Sequence, residues 1–228
     1  MDELHLAVIP DGNRRYAEAH GRHPEEGHVA GAETAVNLVQ WVADYPEIAE
    51  VTAWALSPAN YRKRSESEID NLNHVYHTFA EELNSADSAI HGNEVRVQTI
   101  GDTTVLEPHA QQAIDRLVTD TAGYDTPQLT LALNYDAAYD TDQALTAARQ
   151  NGHSRPLTED IRAHYEITEV DVLVRYGEDS AHLSGFAPAE QLRQATLYFP
   201  GQNWPAAQKS DIDAALEKHE DRTVTEGA

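Results

Sequence analysis

The chain has 228 residues, with 16 Lys and Arg against 39 Asp and Glu, a formal net charge of −23, no Cys and a single Met. That length suits one domain around one buried core. Absence of cysteine excludes disulfides, thiolate metal sites and cysteine nucleophiles, and the acid excess argues against nucleic acid, whose phosphates need a basic face, and against docking on an anionic bilayer by charge alone.

The acid is not a tail: Asp and Glu are spread through ordinary apolar periodicity, which a disordered acidic chain lacks. Lys63, Lys209 and Lys218 are the only lysines, the other cations being arginine. Dispersed carboxylates with scarce lysine point to a surface adapted to concentrated salt, where a Debye length of about 3 Å at 1 M screens self-repulsion.

The opening MDELHLAVIPDG is acidic, and its apolar run is too short for a signal peptide. No stretch approaches the ~20 apolar residues of a membrane span, so a cytoplasmic protein is expected. Leu4–Ile9 reads as a first buried strand, followed by Pro10-Asp11-Gly12-Asn13-Arg14-Arg15. Asp-Gly-Asn is by itself a turn signal. Between a buried strand and a helix, the same turn sets backbone N–H groups where a diphosphate sits. Asp11 suits Mg²⁺ on such phosphates, since Mg²⁺ takes one or two carboxylates plus substrate oxygens; Arg14 and Arg15 would neutralise phosphate charge. Val29, Ala32, Ala35, Val36, Val39 and Val42 then repeat at helical spacing.

Glu50–Leu56 is the second strand-like run, and Ser57-Pro58-Ala59-Asn60-Tyr61-Arg62-Lys63-Arg64 follows it. The three adjacent cations read either as a solvated helix start with Glu66 and Glu68 as counter-charges, or as a second anion site with Ser57 and Asn60 as hydrogen-bonding groups. A long helix is expected over Ser65–Ile90. Its stripe of Ile69, Leu72, Val75, Tyr76, Phe79 and Leu83 suits core packing or the wall of an apolar tunnel equally.

Glu94–Ile100, Gln128–Asn134, Val170–Arg175 and Ala195–Phe199 complete six strand-like runs, with helical patterns at Ala110–Leu117, Ala144–Ala148 and Ile212–Leu216 between and after them. Such alternation implies right-handed βαβ units and an α/β fold: a single domain over 1–222 with a central, mostly parallel six-stranded sheet flanked by helices, and a frayed tail over 223–228. Ligands in such sheets bind beyond the carboxyl ends of the strands. After the fifth strand stand Arg175-Tyr176-Gly177-Glu178 and His182-Leu183-Ser184-Gly185-Phe186. Arg175 suits phosphate there, or a surface ion pair with Glu178. Of the 12 His, the pair His74 and His77 and the group His20, His23 and His28 lack a zinc-site pattern.

Taken together, these segments resemble the cis-prenyltransferases, the undecaprenyl-type polyprenyl diphosphate synthases, over nearly the whole chain. HLAVIPDGNRRYA (5–17) resembles the family's HxAxIMDGNxRWA, and GHVAG (27–31) its GHxAG. ALSPANYRKRSESEI (55–69) resembles FSxENWxRPxxEV with one residue added. VQTIGD (97–102), LTLALNY (129–135), DVLVRYGED with HLSGF (171–186) and LYFPGQNWP (197–205) match the later segments in order.

The resemblance implies a Mg²⁺-assisted transferase that condenses isopentenyl diphosphate with an allylic prenyl diphosphate into a cis-polyprenyl diphosphate. By the family pattern, Asp11 holds the metal, and Gly12, Asn13, Arg14, Arg15, Tyr16 and His28 bind the allylic diphosphate. Ser57 and Asn60 orient substrate or move a proton, with Tyr61 beside them. Arg64 and Glu68 match the next family Arg and Glu, Lys63 being the alternative to Arg64. Arg175, His182 and Ser184 meet isopentenyl diphosphate. A homodimer with peripheral membrane contact through its product is expected.

The departures are as specific. Thr196 stands where the family has a Glu, with Glu190 nearby; His182 replaces an Arg and Gly185 an Asn. Pro24 replaces an Arg for which Arg22 is the stand-in, and NYGGR has become Asn134-Tyr135-Asp136-Ala137-Ala138. They leave open a rival reading, a weakly catalytic or non-catalytic partner subunit of a heteromeric prenyltransferase. A nucleotide-binding protein is disfavoured, since both G-x-x-x-x-G-K-[ST] and G-x-G-x-x-G are missing. Seven of the sixteen basic residues, Arg14, Arg15, Arg22, Arg62, Lys63, Arg64 and Arg175, fall within these segments or, for Arg22, between the first two.

Overall fold

A computed structural model describes residues 3–151, 156–177 and 182–226. All six expected strands form, with slightly different ends: β1 Leu4–Ile9, β2 Ile48–Trp54, β3 Arg96–Ile100, β4 Gln128–Ala132, β5 Val172–Arg175 and β6 Thr196–Tyr198. Nine helices are described: α1 Asn13–Ala19, α2 Pro24–Val42, α3 Pro58–Lys63, α4 Glu66–Leu83, α5 Ala89–Gly92, α6 Pro108–Asp120, α7 Ala137–Asn151, α8 Leu157–Arg162 and α9 Lys209–Glu226.

The strands join in one sheet, in the order β3-β4-β2-β1-β5-β6, and every pairing is parallel. The chain starts in the middle, builds outward through β2, β3 and β4, then crosses to the other side of β1. The connections therefore reverse at the β1/β5 boundary, where the carboxyl ends of a doubly wound sheet open a crevice. Register pairs Ile9 with Arg175. The Asp11 turn and Arg175 thus meet at the switch point because of the topology.

Alternation along the strands divides the core. Leu6, Val8, Val51, Leu129, Leu131, Val172 and Val174 face the larger cluster, completed by Leu38, Val42, Leu72, Leu83, Leu117 and Ile212 from the helices. Ala7, Ile9, Ala132 and Leu173 face a smaller cluster with Tyr135, Ile167 and Phe186. Burial on both faces explains the near-continuous apolar runs, and each fully buried Leu, Ile or Val contributes about 1.5–3 kcal/mol.

Two expectations are corrected. The long helix ends at Leu83, because Asn84 caps it and a new N-cap, Ser88, accepts a bond from His91 N to start α5. The last helix runs to Glu226, so 223–226 is helical rather than frayed; Gly227 and Ala228 lie outside the described residues. His5, given no role in the sequence reading, is buried at the amino end of the sheet, between Thr52 and Thr168.

Candidate functional site

The Asp11 turn is shaped by close approach. Gly12 takes φ 95°, which a side-chain-bearing residue rarely adopts, and a Cβ there would meet Asn203 Oδ1 at 2.2 Å. Gly27 and Gly31, one turn apart on α2, let that helix press against the turn: a Cβ on Gly27 would lie 2.1 Å from Asn13 O, and one on Gly31 2.3 Å from Asn13 Oδ1. From the other side, Trp204 N donates to Asp11 O (2.9 Å) and Trp204 Nε1 to Gly31 O (2.7 Å). A Cβ on Gly177 would lie 2.8 Å from Asp11 C and 2.7 Å from Arg15 Nη2. No side chain caps α1, so the amides of its first turn carry no side-chain acceptor.

Asp11 carries two cations. Its Oδ1 is 3.2 Å from Arg15 Nη2 and accepts from Gly12 N, and its Oδ2 is 3.2 Å from Arg175 Nη2. The Arg175 side chain is 3% exposed, and a charge so buried needs compensation. Asp11 supplies the counter-charge, while Nη1 donates to His182 O (2.7 Å) and Ser184 Oγ (2.9 Å). Arg175 Nε is buried without a partner. Glu178, the alternative partner weighed from sequence, lies outside the described residues.

Across the mouth, α4 faces α1 and α2. Arg14 Nη1 approaches Glu68 Oε1 at 3.8 Å, and Arg64 Nη1 approaches His28 Nε2 at 3.4 Å. Arginine only donates, so Nε2 accepts and the His28 proton sits on Nδ1, which is buried with no partner. Burial first, then Arg64 and Arg14, hold the His28 pKa down to about 4. At neutral pH it is an uncharged ring with a spare N–H donor. Burial also lowers the Arg64 pKa, and bonds from Ser65 lower that of Glu68. Glu68 closes the capping box of α4 with Ser65, a reading the sequence pattern alone would have supported.

These groups share one cleft of about 870 Å³, lined by Asp11, Gly12, Asn13, Arg14, Arg15, His28, Ser57, Asn60, Lys63, Arg64, Glu68, Arg175 and Ser184. Both helical walls run from polar to apolar. On α4 the lining passes from Glu68 through Leu72, Val75 and Tyr76 to Phe79, and on α2 from His28 through Ala32 to Ala35. The eleven residue steps from Glu68 to Phe79 on α4, at about 1.5 Å each, give a depth of about 16 Å. Tyr76 Oη donates to Ala55 O (2.8 Å), and its pKa is pushed up to about 12 by burial. Of the stripe read from sequence, Leu83 is instead buried core and Ile69 is not in the lining.

Other sequence candidates fall elsewhere. Tyr16 stacks on His20 at 4.2 Å, and Tyr61 Oη donates to Val105 O (3.1 Å); neither lines the cleft. His182 reaches it indirectly, with Nδ1 3.1 Å from Ser184 Oγ. Ser57 is the N-cap of α3, its Oγ accepting from Asn60 N, so the capping role and the cleft position coincide. The stand-ins Arg22 and Glu190 are exposed and do not line the cleft. Thr196 opens β6 opposite Val172, three residues upstream of Arg175, with its hydroxyl bonded to His219 (3.0 Å) and near Arg222. A glutamate at that position would meet those two side chains, not Asp11. Sequence reading also missed Trp54 and Trp204 in the lining; Trp204 lay within LYFPGQNWP, but only tertiary packing shows what it touches.

For a metal, Asp11 is the carboxylate at the centre of the mouth. Among the described residues no group of three or more His, Asp or Glu converges on one point. Asp11 beside a cationic mouth fits Mg²⁺ completed by phosphate oxygens, and does not fit an all-protein metal cage.

Residues 9–227 match the family model described as "Putative undecaprenyl diphosphate synthase". A tritrans,polycis-undecaprenyl-diphosphate synthase (geranylgeranyl-diphosphate specific) of Halobacterium salinarum is 33% identical, over 97% of this chain and 75% of that protein. An isoprenyl transferase of Thermus thermophilus is 31% identical over 96% of this chain and 86% of its own length. The structure of lavandulyl diphosphate synthase from Lavandula x intermedia with dimethylallyl diphosphate superposes with a TM-score of 0.80 at 27% identity, covering 94% of each chain. With a cationic mouth on an apolar cleft at the sheet's switch point, and a family match over almost its full length, the chain belongs to the undecaprenyl diphosphate synthase family, the cis-prenyltransferases.

Proposed function

We propose that this protein condenses isopentenyl diphosphate with an allylic prenyl diphosphate, lengthening it into a cis-polyprenyl diphosphate that serves as a lipid-carrier precursor. The observation that carries this is the single cleft with five cations at its mouth and apolar walls beyond. The allylic diphosphate sits on the Asp11–Arg15 turn with its chain along Leu72, Val75 and Phe79. Arg15, the turn amides and the His28 Nδ1–H take up the negative charge that grows on the departing diphosphate. Arg175 and Ser184 hold isopentenyl diphosphate, with His182 steadying Ser184. Ser57 and Asn60, beside the reacting carbons, orient the double bond and stand near the proton that is lost. Magnesium bound at Asp11 would add positive charge against the leaving diphosphate.

The partner-subunit reading is not favoured, because the residues of the allylic half are retained and converge; a scaffold has no physical need of that convergence. The reading extends to a homodimer, as is usual in the family, in a cytoplasm of high salt. The net charge of −23 supports the latter, as does the Halobacterium salinarum origin of one relative. No helix among the described residues is long and apolar enough to cross a membrane, so the product's apolar chain would bring the protein to a bilayer surface. The test is incubation with labelled isopentenyl diphosphate, Mg²⁺ and a series of allylic diphosphates in molar KCl, with products sized by chromatography. Geranylgeranyl diphosphate comes first, being the specificity in the Halobacterium relative's name. Stepwise five-carbon products support the reading; no product from any primer overturns it.

A further inference from the structure

The walls that hold the Asp11 turn are themselves tied together by a carboxylate outside the cleft. Asp211 stands in the first turn of α9 and does not line the cleft. Its Oδ2 accepts from Gln202 Nε2 (2.6 Å), Gln208 N (2.8 Å) and Tyr176 Oη (3.3 Å). One oxygen thereby joins the loop after β6, the residue after β5 and the start of the last helix.

Each joined segment bears on the turn. Gln202 O accepts from Gly177 N (2.8 Å), and Gly177 lies against Asp11 and Arg15. Of the next residues, Asn203 presses on Gly12, and Trp204 N donates to Asp11 O. Tyr176 is buried, donates its own N–H to Ile9 O (3.0 Å) and meets the Trp204 ring edge-on at 5.0 Å.

We infer that Asp211 is a positioning residue for the diphosphate site, acting through Gln202 and Tyr176 to fix the Gly177 and Asn203-Trp204 walls against the Asp11 turn. Charge-assisted bonds of this kind are the stronger ones. An outer partner that orients ligating groups costs about 10- to 100-fold in affinity or activity when removed. The inference rests on the proposed diphosphate chemistry only in its activity arm; its binding arm uses inorganic pyrophosphate.

The test compares wild type with Asp211→Ala, Asp211→Asn and Gln202→Ala. Gln202→Ala cuts the same tie without touching α9, should Asp211→Ala fold poorly. Asp213→Asn is the control, since Asp213 lies on the same helix turn but accepts from Tyr45 Oη. Calorimetric titration with inorganic pyrophosphate and Mg²⁺ is expected to show about 10- to 100-fold weaker binding per folded molecule for Asp211→Ala and Gln202→Ala, an intermediate value for Asp211→Asn and none of this loss for Asp213→Asn. In the elongation assay KM for the allylic diphosphate rises in the same order. Folded Asp211→Ala and Gln202→Ala that bind pyrophosphate like wild type overturn the inference. A wild type that binds pyrophosphate but elongates nothing overturns the proposed reaction, and the binding series still decides the role of Asp211.

Discussion

Substituting Gly27 with alanine separates the two jobs of α2, supporting the core and shaping the site. The new Cβ would lie 2.1 Å from Asn13 O, 2.7 Å from Asn13 C and 3.2 Å from the Ala17 methyl, where ordinary contact begins near 3.4 Å. The obstacle is backbone, so a side-chain rotation does not relieve it. Helix and turn must part by more than about 1 Å, and a misplacement of that size costs about 100-fold in rate. Stability changes less. Overpacking costs about 1–3 kcal/mol, and replacing glycine in a helix returns about 1 kcal/mol, leaving a net loss up to about 2 kcal/mol. At this chain length that is a fall in Tm of about 4–8 °C. The assays are thermal unfolding and elongation kinetics on the same preparation, at a temperature where both proteins are folded. Gly27→Ala that elongates within about threefold of wild type would refute the claim that this glycine exists to seat the turn, as would a rate loss that only mirrors the unfolded fraction.

Other consequences follow from the same geometry. His28 has a folded pKa of about 4 against an ordinary 6.5, so the unfolded chain takes up the proton first as pH falls. Its contribution is full above pH 6.5 and lost toward pH 4, up to about 3 kcal/mol; His28→Gln should flatten the stability difference between those two pH values, and an unchanged slope would contradict the assignment. Phe79→Ala removes bulk from the deep apolar end of the cleft and should shift products to longer chains, read by chromatography. An unaltered product distribution would mean that the growing chain leaves by another route. Stability measured against KCl should rise from dilute buffer to molar salt, as the repulsion of 23 excess negative charges is screened; a protein equally stable in dilute buffer would contradict the reading of its acidic coat.

The sequence was most informative where local pattern decides structure. Six parallel strands were legible because both their faces are buried, so each reads as an apolar run with little alternation. Asp11, Arg175 and Ser184 were legible as strand-end residues, and the GHVAG spacing was visible as a motif. What the glycines are for was not, because Asn13 approaches Gly27 and Gly31 only after α1 and α2 pack together. The Ile9–Arg175 register was equally hidden: a parallel pairing across more than 160 residues leaves no local trace. The same holds for Trp204 against Asp11, and for Asp211, whose partners come from two other loops. The break after Leu83 was missed because the helix was carried on to Ile90 past the end of its apolar stripe, whereas Asn84 caps α4 and Ser88 starts α5. That Thr196 opens β6, at the opposite end of the strand from the site, was not legible in a motif that only lines it up with the family's Glu.

The central claim is that Asp11 and its turn are the point at which an allylic diphosphate is held and released. Its most direct test is elongation of geranylgeranyl diphosphate by labelled isopentenyl diphosphate, measured side by side for wild type and Asp11→Ala in Mg²⁺ and molar KCl. The account predicts polyprenyl products from wild type and a loss of at least about 100-fold in the variant, the scale of one preorganised electrostatic group, with folding retained. Asp11→Ala that elongates at the wild-type rate would contradict it.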